Sequence, residues 1–304
     1  MINNPHKLQI LKKALNNKVK IVLPEIKDSR IVEASKALTE LGFCIVDPSK
    51  IYDRKKDLIK NIINKKFLEN WNNEMVESYF EDLNNLSLVA LNQGEVDCLI
   101  TGASTSTAEV IRSSIRLVGI EKKTQWITSM FYMISPDYKN TFTYADCAVI
   151  PDPNEKQLCT IAYESAKNHK LLSNQEPHVA FLSFSTNSSA EHYTIKKIQK
   201  AIKLFKKKHP NIICDGEIQF DAAINESVDL RKNNKSILRG KANVFIFPDL
   251  NSGNISYKIT QYLAGYSAWG PLLSGFNRPI HDLSRGCTVE DIVCIAMIGA
   301  LQAQ

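Results

Sequence analysis

Ten residues near the end of the chain, Asp282-Leu283-Ser284-Arg285-Gly286-Cys287-Thr288-Val289-Glu290-Asp291, combine a guanidinium, a hydroxyl, a helix start and a carboxylate. An arginine offers a planar fork of donors that matches an oxyanion such as phosphate. A carboxylate three residues after a threonine has capping-box spacing, which predicts a helix opening at Thr288 with Asp291 in its first turn. A helix terminus stabilises an anion there, and an anion is what can accept a proton. The segment can therefore hold an oxyanion and remove a proton beside it. The structural alternative gives Asp291 to the cap alone, and the two roles are compatible.

Other segments share the pattern of a strand end leading into a helix. Gly102-Ala103-Ser104-Thr105-Ser106-Thr107-Ala108 is rich in small and hydroxyl residues, which let backbone amides approach an anion. The same residues make an ordinary N-cap, and spacing alone does not choose. Arg112 lies about one and a half turns into that helix. Pro248-Asp249-Leu250-Asn251-Ser252-Gly253-Asn254-Ile255 follows another strand. Its Asp249 and Asn251 either make local turn bonds or line a ligand site, with Lys258 a cation on the next helix. Cys287 beside an arginine has the setting of an activated thiol, but no base adjoins it. His281 reads as a structural histidine. Neither is taken as catalytic.

These groups need a scaffold, and short β-branched runs alternating with amphipathic stretches predict an α/β architecture with a largely parallel sheet. Strands are expected at Val19–Pro24, Phe43–Val46, Val96–Ile100, Trp126–Phe131, Ala145–Val149, Val179–Ser183 and Val244–Phe247. Helical spacing runs from Ser29 to Leu41, from Ser106 or Thr107, and up to about Tyr266. Ligands of such sheets sit outside the carboxyl ends of the strands, where the segments above lie.

At 304 residues the chain can bury a large core and divide into two units. Hydrophobic residues at 44% and charged residues at 23% describe a soluble globular protein. The net charge of +6 is spread over scattered lysines, which reads as a solvated surface rather than a nucleic-acid interface. Seven cysteines, without C-x-x-C or zinc-like spacing, predict reduced thiols and no metal site. The first residues lack a signal-peptide core and no apolar run spans a bilayer, so a cytoplasmic protein with no membrane partner is expected.

Taken together the segments resemble the phosphate acetyltransferase (phosphotransacetylase) family along nearly the whole chain. The resemblance rests on Leu23-Pro24-Glu25 with Arg30, Gly102-Ala103 through Thr107-Ala108 with Arg112, and Leu182 through Thr186 with Ser189-Ala190. It continues through Asp215–Gln219 with Asp221-Ala222-Ala223, Ala242-Asn243-Val244, Phe247–Leu250, Gly253-Asn254-Ile255, Tyr257-Lys258 and Gly270-Pro271, and closes on Asp282–Gly286. It implies two α/β/α domains with a cleft between them, like isocitrate and isopropylmalate dehydrogenases. One domain would take 1–121 with 270–304 and the other 122–269, with a homodimer through the second. It implies reversible acetyl transfer between coenzyme A and inorganic phosphate by direct transfer in a ternary complex. Coenzyme A and acetyl phosphate would be substrates, and no cofactor would be tightly bound.

The resemblance makes Asp291 the base for the coenzyme A thiol, Arg285 the phosphate ligand, and Ser284 a neighbour of thiol and carbonyl. It implies substrate contacts from Ser106, Thr107, Arg112, Ser129, Asn254 and Lys258. A free thiol near about 8.5 and an ordinary aspartate near about 3.9 put complete proton transfer about 6 kcal/mol uphill. The transfer must therefore accompany carbonyl attack, or the surroundings must bring the two values together.

Departures fall on cations. The family's basic Leu-Arg-Lys-x-Lys-Gly segment is replaced between Glu74 and Gly94 by Tyr79-Phe80-Glu81-Asp82-Leu83-Asn84-Asn85-Leu86. Thr105 stands for a histidine, Asn187-Ser188 for Lys-Gly and Tyr262 for an arginine. A butyryl-transferring relative and a weakly active coenzyme A-binding regulatory module are the alternative readings. The Asp282–Gly286 run favours acetyl.

Overall fold

Strands buried on both faces are written as uninterrupted apolar runs, and Ile21-Val22 and Cys98-Leu99-Ile100 are buried runs of this kind. The structure, a computed structural model, describes residues 4–304. The chain divides into two compact units, one comprising residues up to Gln125 together with Leu273–Gln304, the other Trp126–Leu272.

The first unit begins with α1 (Pro5–Ala14), β1 (Lys20–Val22), α2 (Ser29–Glu40) and β2 (Cys44–Val46). It continues with α3 (Pro48–Tyr52), α4 (Lys55–Lys60), α5 (Asn73–Tyr79), α6 (Leu83–Asn92), β3 (Cys98–Thr101) and α7 (Thr107–Leu117). The second unit contains β4 (Thr128–Ile134), β5 (Thr141–Ala145), α8 (Glu155–Ser173), β6 (His178–Leu182), α9 (Tyr193–Lys208) and β7 (Ile213–Ile218). It is completed by α10 (Phe220–Ile224), α11 (Glu226–Lys232), β8 (Val244–Ile246), α12 (Leu250–Ala264) and β9 (Ser267–Ser274). β10 (Ile280–Asp282) and α13 (Val289–Gln302) return to the first unit.

The first sheet is parallel throughout, in the order β10-β3-β1-β2. Alternation along its strands sends successive side chains to opposite faces. Cys98, Ile100 and His281 face α13, where a Cβ on Gly299 would come 2.5 Å from the Cys98 sulfur. Only a glycine allows helix and sheet to approach that closely. Thr101 and Asp282 point the other way, to Asn84 of α6 and Thr107 of α7. Ile292 through Leu301 are all buried, as a helix apolar on every side must be.

The second sheet is mixed, in the order β7-β6-β8-β5-β4-β9. β5, β8, β6 and β7 are parallel, and β4 returns antiparallel to β5. Phe131, Met133, Tyr144, Phe245 and Phe247 form the core on one face, and Tyr257 of α12 stacks on Phe131 with ring centroids 3.8 Å apart. On the other face Thr143 meets the buried His169 of α8 at 3.0 Å.

One expected strand is corrected. Apart from Ala145, the 145–149 run is the turn after β5 rather than a strand. The Asp146 carboxylate bends back to accept from the amides of Ala148, Val149 and Ile150 at 2.9, 3.1 and 3.2 Å, a local alternative to the ladder. Among the described residues no helix is long and apolar enough to cross a membrane. All seven cysteines are free, with only Cys44 exposed.

Candidate functional site

Two neighbouring strand-to-helix junctions of the first unit hold most of the expected site residues. They follow β3 and β10, which pair in register with Thr101 beside Asp282.

At the β3 junction Gly102 turns the chain with φ +96°, and the amides that follow converge on one carboxylate. Glu25, in the turn after β1, accepts from the backbone of Ala103, Ser104 and Thr105 at 2.7, 3.0 and 2.8 Å. It also takes the Ser104 and Thr105 hydroxyls, each at 2.8 Å. The amides that the sequence offers to an anion are thus occupied by an internal one. Ser106 is the N-cap of α7 and shares a capping box with Glu109, its hydroxyl donating at 2.6 Å. The Thr107 hydroxyl donates to Asp282 Oδ2 at 2.5 Å. Arg112 is exposed and lines a pocket of about 390 Å³ together with Tyr79, Asn84, Thr105 and Arg116.

At the β10 junction the Leu283 amide bonds to the Thr101 carbonyl at 2.7 Å, ending the ladder. The chain then turns, with the Cys287 amide on the Ser284 carbonyl at 2.9 Å and the Gly286 amide on Ser284 Oγ at 3.3 Å. Thr288 caps α13. Its amide and hydroxyl both donate to Asp291 Oδ2, at 2.9 and 2.8 Å, and its oxygen receives the Asp291 amide at 3.2 Å. The capping box predicted from the sequence is present. It uses one oxygen of Asp291, and the half-buried carboxylate keeps the other. Lys7 of α1, almost wholly buried, pairs with the adjacent Glu290 at 2.8 Å. Ser284 and Arg285 are exposed, and the Arg285 guanidinium has no protein partner among the described residues.

Arg30, in the first turn of α2, joins the two junctions. Its Nη1 donates to the carbonyls of Arg285 and Cys287 at 2.8 and 3.0 Å, and its Nη2 to that of Ala103 at 3.0 Å. The Asp28 carboxylate anchors the same guanidinium at 2.6 Å and is itself held below the ordinary range by it. Charge-assisted bonds of this kind are the strong ones. The sequence reading passed over Arg30 and Glu25 as site-builders. Their signal was position, since both follow a strand end within eight residues.

Three further ionisable groups are tuned by burial. The Asp282 carboxyl is pushed up to about 7 by desolvation, with the Glu25 charge adding and the Thr107 hydroxyl opposing. Burial raises the Cys287 thiol against the nearby Arg30, so this sulfur is poorly set as a nucleophile. His281 is completely buried and pushed down to about 4. It accepts from the Leu273 amide at 3.2 Å and meets Gln302 at 2.6 Å, the structural role expected of it.

Ser129, Asn254 and Lys258 belong to the second unit. Ser129, an expected substrate contact, has its hydroxyl engaged within the second unit. It is 2% exposed, its hydroxyl donates to Asp146, and its oxygen accepts from the Ala148 amide at 2.9 Å. That hydroxyl serves the turn after β5. Asn254 donates to the Cys147 carbonyl of the same turn at 3.0 Å. Lys258, one turn further along α12, is exposed with its ammonium 5.6 Å from the Tyr257 ring centroid.

Comparison with known proteins places these residues in context. Residues 39–300 match the family model described as phosphate acetyl/butaryl transferase. A phosphate acetyltransferase from Acetivibrio thermocellus is 36% identical, with 97% of each chain covered. A phosphotransacetylase structure from Staphylococcus aureus superposes with a TM-score of 0.86 at 33% identity, covering 98% of both chains. One from Streptococcus pyogenes gives 0.86 at 31% identity, covering 100% of this chain and 99% of the other.

Proposed function

Because the chain belongs to the phosphate acetyl/butaryl transferase family, we propose that its β10–α13 junction carries direct acetyl transfer between coenzyme A and inorganic phosphate. The protein is an acyltransferase that interconverts acetyl-CoA plus phosphate with acetyl phosphate plus coenzyme A. The observation behind the site assignment is a pair of uncommitted groups on one short segment. The Arg285 guanidinium is exposed and unpaired among the described residues, and Asp291 keeps an oxygen outside its cap.

In the direction of thioester synthesis, Asp291 takes the proton from the coenzyme A thiol as sulfur attacks the carbonyl of acetyl phosphate. A carbon–sulfur bond forms, the carbon–oxygen bond to phosphorus's oxygen breaks, and phosphate leaves with the electron pair. Arg285 binds the phosphate oxygens through two donors and accepts the charge that grows on them. The Ser284 hydroxyl stands next to the reacting carbonyl. Phosphate is a competent leaving group, so no separate acid is required, and both substrates are held at once.

Arg112, in its pocket with Arg116 and Tyr79, is assigned to the anionic part of coenzyme A. It lines that pocket with Tyr79, Asp82, Asn84 and Asn85 of the segment that stands in place of the basic one. Ser106 and Thr107 are assigned as substrate contacts by their place at the start of α7, their hydroxyls being bonded to Glu109 and Asp282. Asn254 and Lys258 are assigned as further substrate contacts. Acetyl is preferred over longer acyl groups. The reading includes an isocitrate/isopropylmalate-dehydrogenase-type layering within each unit, no tightly bound cofactor, a cytoplasmic setting and a homodimer through the second unit. The dimer has support in α12, which buries Gly253 alone and exposes Ile255, Ile259, Tyr262 and Leu263. Such an apolar row on a surface helix calls for a partner.

The deciding experiment is thioester formation from coenzyme A and acetyl phosphate by the wild type and by Asp291→Asn. Loss of the general base is expected to lower turnover by about 10² or more. An undiminished rate in the variant would leave the residue as a cap only.

A further inference from the structure

Asp282 carries a cost that the strand does not explain. It ends β10 and is 1% exposed. Its Oδ2 receives the Thr107 hydroxyl at 2.5 Å, while its Oδ1 has no hydrogen-bond partner among the described residues. That second oxygen lies against Gly102, where a Cβ would stand 2.2 Å away. Burying a half-satisfied carboxyl destabilises a fold. The sheet does not demand it, because the ladder at this point is closed by the Leu283 amide rather than by the Asp282 side chain. What the carboxyl does join is the first turn of α7 and the chain three residues before Arg285.

We propose that Asp282 is a positioning residue for acetyl transfer, which locks the start of α7 through Thr107 to the Ser284–Arg285 turn. The role rests on the acetyl-transfer reading of the β10–α13 junction. Arg112 rides on α7 and Arg285 on the turn, so this single hydrogen bond sets the spacing of two cations that must hold two anionic substrates. Arg30 fixes the backbone of the two junctions, but it touches neither α7 nor the Thr107 side chain. Small misplacements of substrate-holding groups are enough to lower a rate tenfold or more.

The charge state of Asp282 adds a signature. Glu25, from the turn after β1, is the charged group whose field reaches it; α7 presents the Thr107 hydroxyl, and α13 packs on the opposite face of the strand. The ionised form is the better acceptor for Thr107, so the lock weakens as the carboxyl is protonated near neutral pH. Removing the hydroxyl takes away the interaction that lowers the carboxyl's pKa.

The test is the pH dependence of acetyl-CoA formation in the wild type, Thr107→Val, Thr107→Ser and Asp282→Asn, each checked for folding by thermal melting. Thr107→Val is expected to lower kcat about tenfold, with the KM for coenzyme A little changed, and to move the acid limb of the profile to higher pH. Thr107→Ser restores both, and Asp282→Asn removes the limb. A structural role alone would change melting without moving the limb. Wild-type kcat and an unmoved limb in Thr107→Val would overturn the role and leave the activity standing. A wild type without turnover would overturn the activity and this role with it. If Thr107→Val does not fold, Asp282→Asn decides: a neutral-range limb that persists overturns the proposal, and one that vanishes supports it.

Discussion

The junctions after β3 and β10 are built from the same kinds of residues and are used in opposite ways. Both leave a parallel strand and turn into a capped helix, and both offer hydroxyls and amides at a helix start. After β3 these groups are largely taken up internally: Glu25 fills the amides of Ala103, Ser104 and Thr105, Ser106 caps and Thr107 reaches Asp282. After β10 the cap uses one oxygen of Asp291 and leaves a guanidinium, a hydroxyl and half a carboxylate facing outward. A helix terminus is therefore a place for an anion, and whether the anion is a side chain or a substrate is decided by what the neighbouring loop supplies.

That contrast can be broken most directly at Arg285. Replacing it with alanine removes no internal contact of its side chain, so stability should hold while acetyl-CoA formation falls about 10²–10³-fold, the usual effect of deleting a preorganised charge donor. A matching loss of melting temperature would show that the exposed junction is structural after all. The opposite outcome is expected at Glu25. Its change to alanine strands buried amides and hydroxyls, and should remove about 3 kcal/mol of stability, read from denaturant unfolding. If stability were unchanged, the amides after β3 would be satisfied by solvent and open to a ligand.

The smallest effect is a pH dependence that sharpens the same picture. His169 and His281 are each held near about 4, below the unfolded value, so the unfolded chain binds more protons as pH falls. Their contribution is complete above the unfolded histidine range and is lost on acidification toward about 4. Asp282, raised to about 7, works in the other direction, contributing most at low pH and less as pH rises through neutrality. Asp282→Asn should therefore make the loss of stability on acidification steeper, measured as melting temperature against pH. A shallower slope would mean that the Asp282 carboxyl is ionised throughout.

Most of the scaffold was readable from apolar runs and punctuation. Strands β1, β2, β3, β6 and β8 fall where β-branched runs end in small or polar residues, and the Thr288–Asp291 cap follows from spacing alone. The 145–149 run was misread because its apolar residues look like a strand. Asp146 ends the ladder through a side chain whose direction composition does not reveal. The hydroxyl of Ser129, a substrate contact by the resemblance, is held by a buried carboxylate seventeen residues away in the sequence, a pairing that no local pattern shows. Glu25 and Arg30 were visible as residues but not as partners of loops more than seventy residues later in the chain. Such long-range pairing is invisible to any local pattern.

The return of the chain to its first unit has a consequence for the nascent polypeptide. When a ribosome has synthesised as far as Leu272, the second unit is complete in sequence, yet the first still lacks an edge strand and the apolar helix that fills its centre. The exposed backs of β1 and β3 must wait for the final thirty-odd residues. Translation that stops short of them would yield one sound half and one hydrophobic remnant, so quality control need only sense that uncovered layer to intercept truncated copies.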